Sequence, residues 1–235
     1  MNLLKKCKLC SLSIIFFLLI VGCKDSSHSS TQRFCSIHSF KCIYEKTKVE
    51  FITNKGSIYL ELDGEAAPVT SGNFVDLINK NFYKDSLFNT VIKKPKPFFV
   101  KAGNPSMKIS SSKENYIDKG NYVDPETGYS RFIPLEIGLV NERYPIYNKL
   151  IKNELFSQIR LKHKKGSIAM ARDQAVNSAS SQFYISLRDL PELDGRYAVF
   201  GRVIDGMAVL ESIEEGDHIM KINILKNNEQ KISEK

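Results

Sequence analysis

From residue 48 to residue 225 the chain is a series of short alternating segments broken by turn residues, and this limits the possible folds more than any other feature. Residues 49–53 and 57–62 alternate apolar and polar and flank Asn54-Lys-Gly56, the pattern of a strand–turn–strand unit. Residues 87–92 and 98–101 read as short strands on either side of the loop Lys93-Lys-Pro-Lys-Pro97. Residues 166–171, 182–187, 198–204 and 219–225 continue the series. Helical spacing is rarer. Pro68 stands at a plausible first helical position, with Phe74, Leu77 and Ile78 forming a stripe that ends near Lys80. A second short helix is predicted over 206–213, and a third over 138–162, where Ile151, Leu155 and Ile159 fall at i, i+4 and i+8. So many short strands with so few helices exclude a parallel α/β sheet and point to a β-barrel or sandwich.

The N-terminus has a different character. Lys5, Lys6 and Lys8 precede an apolar run over 9–21, which is too short for a comfortable membrane span. The run ends in Leu19-Ile-Val-Gly-Cys23, which resembles a bacterial lipobox, so cleavage before Cys23 and lipidation of Cys23 are expected, the alternative being an uncleaved anchor helix. The expected organisation is a lipoprotein signal peptide over 1–22, a lipidated tether over 23–47, a globular domain over 48–226 and a tail over 227–235. The anchor would place the domain outside the cytoplasm, on the periplasmic or surface face of a bacterial membrane. The net charge of +8 drops to +5 without the three leader lysines. Lysines cluster at 93–96 and 162–165 without interleaved aromatics, so solvated loops are expected rather than a nucleic-acid surface. Cys7 and Cys10 leave with the leader, and Cys35 and Cys42 remain beyond the lipid site. An even pair in an oxidising compartment reads first as a disulfide. Free thiols, or a weak metal site that includes His38, are the alternatives; no metal is assigned.

Several motifs in order then resemble one family. Ser167-Ile-Ala-Met-Ala-Arg172, Ser180-Ser-Gln-Phe-Tyr-Ile185 and Tyr197-Ala-Val-Phe-Gly-Arg-Val203 resemble the second half of a bacterial-type cyclophilin, a peptidyl-prolyl isomerase. Ala67-Pro-Val-Thr-Ser-Gly-Asn-Phe74, Ile133-Pro-Leu-Glu-Ile137 and His163-Lys-Lys-Gly166 resemble other segments of such proteins. The resemblance implies a mainly β fold, an eight-stranded antiparallel barrel capped by two helices; the helix read over 138–162 is an extra insertion outside that pattern. It also implies a monomer acting on proline-containing polypeptides without a cofactor.

Carried over residue by residue, the resemblance implies a proline pocket of Phe98, Phe99, Tyr184 and Leu193, with Phe88 close by and Tyr197 at its edge. Gln182 and the backbone around Ala171 and Arg172 would hold the peptide flanking the proline. An apolar hollow suits a rigid pyrrolidine ring, and a few polar groups fix the backbone around it. The family's catalytic arginine falls at Thr90, within Phe88-Asn-Thr-Val-Ile92, and Lys101 stands where the family has a neighbouring glutamine. Lys101 is therefore the candidate cationic donor. The alternative is a binding module that captures proline segments without turning them over.

Overall fold

The computed structural model describes residues 27–109, 117–118 and 120–225. The expected signal peptide, Cys23 and the tail over 227–235 lie outside the described residues. Helix α1 (Ser27–Ile37) is followed by strands β1 (Lys46–Thr53) and β2 (Gly56–Asp63) and by helix α2 (Pro68–Asn79). Strands β3 (Ser86–Leu87), β4 (Thr90–Ile92) and β5 (Phe99–Ala102) come next. Two-residue strands β6 (Ile117–Asp118), β7 (Asn121–Tyr122), β8 (Glu136–Ile137) and β9 (Ile146–Tyr147) lie within long connections. The chain ends with β10 (Ser167–Met170), β11 (Phe183–Ser186), β12 (Val199–Asp205), helix α3 (Met207–Ser212) and β13 (His218–Leu225).

Nine strands form one antiparallel sheet in the order β3-β13-β1-β2-β12-β10-β11-β5-β4. Its two edges, β3 and β4, are the two halves of a single bent segment over 86–92. Phe88 N–H donates to the Asp217 carbonyl at 2.7 Å, and Asn89 N–H donates to the Lys101 carbonyl at 3.0 Å. The segment thus pairs with β13 at one end and with β5 at the other, closing an eight-stranded barrel without a free edge. Alternation sets which side chains fill it. Val49 and Phe51 from β1 and Ile58, Leu60 and Leu62 from β2 are fully buried. Phe74 of α2 packs its ring 5.3 Å from Phe183 and 5.1 Å from Phe200, so this helix plugs the barrel with aromatic surface.

Helix α2 opens on Pro68 with no side-chain cap of its own. Glu136 of β8 supplies the missing acceptors. Its carboxylate takes the Val69 and Thr70 N–H groups at 3.2 and 2.8 Å and the Thr70 hydroxyl at 2.7 Å. Burial nevertheless pushes the Glu136 carboxyl above its ordinary range, against these hydrogen bonds.

Two expectations are corrected here. The helix expected over 138–162 does not form; β9 and a six-residue 3-10 turn at Asn153–Gln158 occupy the stretch. Pro145 lacks an N–H and biases Tyr144 towards extended backbone, which breaks any α-helix through the segment. Its backbone groups pair with other parts of the chain instead, Ile151 N–H with Gly195 and Arg160 N–H with Gly138. The apolar residues still turn inward, Ile151 and Ile159 being buried with Leu135, Ile137 and Leu139 in a second cluster.

The stretch over 27–45, expected to be tether, is folded against the barrel. Cys35 is buried in the main core, and Phe34 stacks on Tyr147 with ring centres 4.2 Å apart. Gly72 of α2 makes this approach feasible, since a Cβ there would collide with the Lys41 carbonyl oxygen. A disulfide joins Cys35 to Cys42. Closing so short a loop contributes about 2–3 kcal/mol through the unfolded state. Replacing both cysteines with serine should lower the thermal midpoint by about 5–10 °C. A shift below about 2 °C would show that the cross-link constrains nothing.

Candidate functional site

The register of the sheet builds the site. Thr90 of β4 pairs with Lys101 of β5, Lys101 with Tyr184 of β11, Tyr184 with Ala169 of β10, and Ala169 with Val199 of β12. Directly paired residues share a face, so these five form one row across four ladders. The neighbours Val100 and Ile185 point into the core, which puts the row on the outside of the barrel.

Around the row lies a small apolar cluster separate from the core. Phe99, Leu161, Ala171, Leu193 and Tyr197 pack, partly exposed, on buried Ala169, Tyr184 and Val199. Tyr184 sits 5.2 Å from Phe99 and, edge-on, 5.8 Å from Tyr197. Phe98 flanks the cluster 4.9 Å from Phe99, with the Arg188 guanidinium 5.4 Å above its ring. The Arg172 guanidinium lies 4.9 Å over Tyr197 and donates to the carbonyls of Arg196, Asp173 and Gln174. Phe88 is not among these residues. It is fully buried in the barrel core, because the irregular pair 88–89 between β3 and β4 turns its ring inward while Thr90 stays on the outer face.

Beside the cluster is a polar cleft of about 140 Å³ bordered by Lys101, Gln182, Ala171, Arg172 and Asn121. Gln182 spends its amide N–H on the Gly120 carbonyl at 3.0 Å, which leaves its side-chain oxygen as an acceptor. Lys101 borders the cleft and makes no ion pair among the described residues. The loop that carries Asn121 is held down by Arg131, which bonds Asp76 of α2 at 2.6 Å and Asp124 at 2.8 Å.

The floor of the cluster has a support that sequence reading did not assign. The His163 Nε2 lies 2.8 Å from the Tyr184 hydroxyl, and its Nδ1 lies 2.9 Å from Asp194 Oδ1. Asp194 also accepts the His163 backbone N–H at 2.7 Å. An ionised carboxylate only accepts, so Nδ1 carries a proton, and in the neutral imidazole Nε2 accepts from the Tyr184 hydroxyl. Burial pushes the Tyr184 phenol up. For Asp194 burial acts in the same direction, but the two His163 hydrogen bonds outweigh it and hold the carboxyl below its usual range. The signal was visible only as His163 within His163-Lys-Lys-Gly166, with nothing local to say that it meets Asp194.

These carboxylates make stability depend on acid. In Asp76 burial is overcome by hydrogen bonds from Lys80 and Arg131, and in Asp124 the Arg131 hydrogen bond leads; both carboxyls are held low, as is Asp194. Each contributes fully above the ordinary aspartate value of about 3.9. That contribution is lost as pH falls through the lower folded-state value. The thermal midpoint should therefore fall steeply below about pH 4, and Arg131→Gln should flatten that fall. Equal midpoints at pH 3 and pH 6 would sink the assignment.

The barrel is closed with a filled lumen, and the aromatic cluster beside the polar cleft makes its outer wall the candidate site. The family described as cyclophilin type peptidyl-prolyl cis-trans isomerase/CLD matches residues 48–232, and the chain belongs to it. A thylakoid lumen peptidyl-prolyl cis-trans isomerase of Synechocystis is 34% identical over 191 residues, 77% of this chain and 47% of that protein. Peptidyl-prolyl cis-trans isomerase B of Escherichia coli is 30% identical over 176 residues, 71% of this chain and 83% of that protein. The crystal structure of a Cryptosporidium parvum cyclophilin type peptidyl-prolyl cis-trans isomerase, 26% identical, covers 77% of this chain and 99% of its own, with a TM-score of 0.56. The chain spans about half the length of the Synechocystis relative.

Proposed function

We propose that this chain is a peptidyl-prolyl cis–trans isomerase in which Lys101, not an arginine, is the cationic donor at the prolyl nitrogen. Rotation about an X–Pro bond crosses a barrier of about 18–20 kcal/mol, set by donation of the nitrogen lone pair into the carbonyl. No bond is made or broken. A catalyst must hold the ring and stabilise the nitrogen as resonance is lost, which is differential binding of the twisted state. The cluster of Phe99, Tyr184, Leu193 and Tyr197 offers the surface for the ring, with Phe98 beside it. Gln182 and the backbone at Ala171 and Arg172 border the cleft that would hold the flanking peptide. Thr90 has no cation to give. The observation that carries the proposal is that Lys101 borders this cleft, directly across the ladder from Thr90, without an ion-pair partner among the described residues.

The second reading, a proline-binding module without turnover, is favoured by Thr90 itself. Exchange NMR of short X–Pro peptides with the full chain separates the two. Turnover by the wild type is expected, rising by about tenfold in Thr90→Arg, since a guanidinium bonds in a rigid fork where ammonium is a point charge. Peptide binding with turnover only in Thr90→Arg would establish the second reading instead.

The setting follows from the N-terminus. A lipid on Cys23 would hold the domain, as a monomer, at the outer or periplasmic face of a bacterial membrane, where it would assist proteins folding outside the cytoplasm. The Synechocystis relative, named for the thylakoid lumen, supports an extracytoplasmic place. Metabolic labelling with a fatty acid, lost in Cys23→Ser, tests the anchor.

A further inference from the structure

A basic groove lies next to the aromatic cluster, and nothing in the proposed reaction uses it. The groove encloses about 480 Å³ and is lined by six cations: Lys46, Arg160, Lys162, Lys164, Lys165 and Arg202. Only two carboxylates, Glu61 and Asp63, line it with them. Four of the cations are already engaged. Lys46 and Arg202 share Glu61, Lys164 pairs with Asp189 and Lys165 pairs with Glu211. Arg160 and Lys162 make no ion pair among the described residues, although Lys162 stands near enough to Asp194 to help hold that carboxyl low, and the groove keeps a net positive charge.

Its position gives that charge a meaning. Leu161, between Arg160 and Lys162, packs on the aromatic cluster, and both Leu161 and Val199 also line the groove. The two sites therefore share a wall. Along β10 the step from Ala169, under the cluster, to Ser167, in the groove, is two residues on the same face. Two residues of strand span about 7 Å. An extended peptide seated on the cluster reaches the groove with the second to fourth residue from its proline.

We propose that this groove is a specificity subsite that takes acidic side chains, Asp or Glu, two to four residues from the proline of a bound polypeptide. The inference rests on the isomerase or proline-binding reading of the cluster, since it requires a polypeptide there. A polypeptide fits better than a lipid surface because the groove is concave and runs into the cluster, while a bilayer engages cations that stand clear of the protein.

The test is binding of four fluorescent X–Pro peptides to the full chain: neutral, basic, and acidic on the N-terminal or the C-terminal side of the proline. At low salt one acidic placement should bind about three- to tenfold more tightly than the neutral peptide, as expected for one or two exposed ion pairs. The gain should shrink as ionic strength rises through 0.15 M. The double variant Arg160→Gln, Lys162→Gln should erase the gain and leave affinity for the neutral peptide unchanged, which also shows that the variant is folded. Equal affinity for all four peptides overturns the subsite. So does an acidic preference that survives in the double variant. Binding of the wild type to anionic phospholipid vesicles, lost in the double variant and without peptide preference, would assign the groove to a membrane instead. Failure of every peptide to bind, the neutral one included, would count against the reading of the cluster rather than the groove.

Discussion

Lys101→Gln should lower the isomerisation rate by about ten- to hundredfold while peptide affinity stays within a fewfold of wild type. The size follows from the bond removed. A hydrogen bond from a charged donor is worth on the order of 1.5–3 kcal/mol, and about 1.4 kcal/mol is a factor of ten in rate. The split between rate and affinity follows from when the bond forms. The prolyl nitrogen becomes a good acceptor only as its lone pair leaves conjugation, so the ammonium acts on the twisted state and barely on the planar one. Glutamine keeps the length and polarity at position 101 and removes the charge. Lys101→Arg should keep most of the activity, because strand β5 still presents a cation across the ladder from Thr90. Exchange NMR on one X–Pro peptide measures all three proteins, and equal turnover in wild type and Lys101→Gln would remove Lys101 from the mechanism.

The largest effect on stability is expected from Asp194→Ala. That change strips His163 of both the ring and the backbone acceptor, leaving two donors unpaired at a buried position. Leaving a buried donor unsatisfied costs about 1–3 kcal/mol, and two of them should lower the thermal midpoint by about 10 °C. Tyr184→Phe removes only the outermost hydrogen bond and should cost about 1 kcal/mol. The graded pair is informative because Tyr184 is also the floor of the aromatic cluster. If Asp194→Ala unfolds no more easily than Tyr184→Phe, then Asp194 is not what holds the ring in place.

Much of the fold was legible because alternation in a half-buried strand leaves a direct imprint on sequence, as at 49–53 and 57–62. The residues of the outer face were legible for another reason, the order of several motifs resembling one family, which composition alone would never have supplied. What failed has physical causes. Ile151, Leu155 and Ile159 carry helical spacing, yet Pro145 and partners far along the chain decide the backbone there. The resemblance sets Phe88 beside the proline pocket, yet a bend of two residues sends it into the core. The meeting of His163 with Asp194 was illegible, since 31 residues separate them and each belongs to an ordinary loop signal.

The folded segment over 27–45 changes what a lipid on Cys23 would mean. Helix α1 begins at Ser27, so four residue steps separate it from the anchor. Fully extended, they span about 14 Å. The barrel would then be mounted on its membrane, not trailing on a line. Its encounter volume would be a thin layer a few tens of ångströms deep. Polypeptides emerging through or held at the same surface would meet it at high effective concentration, and those diffusing free of the membrane would seldom meet it at all.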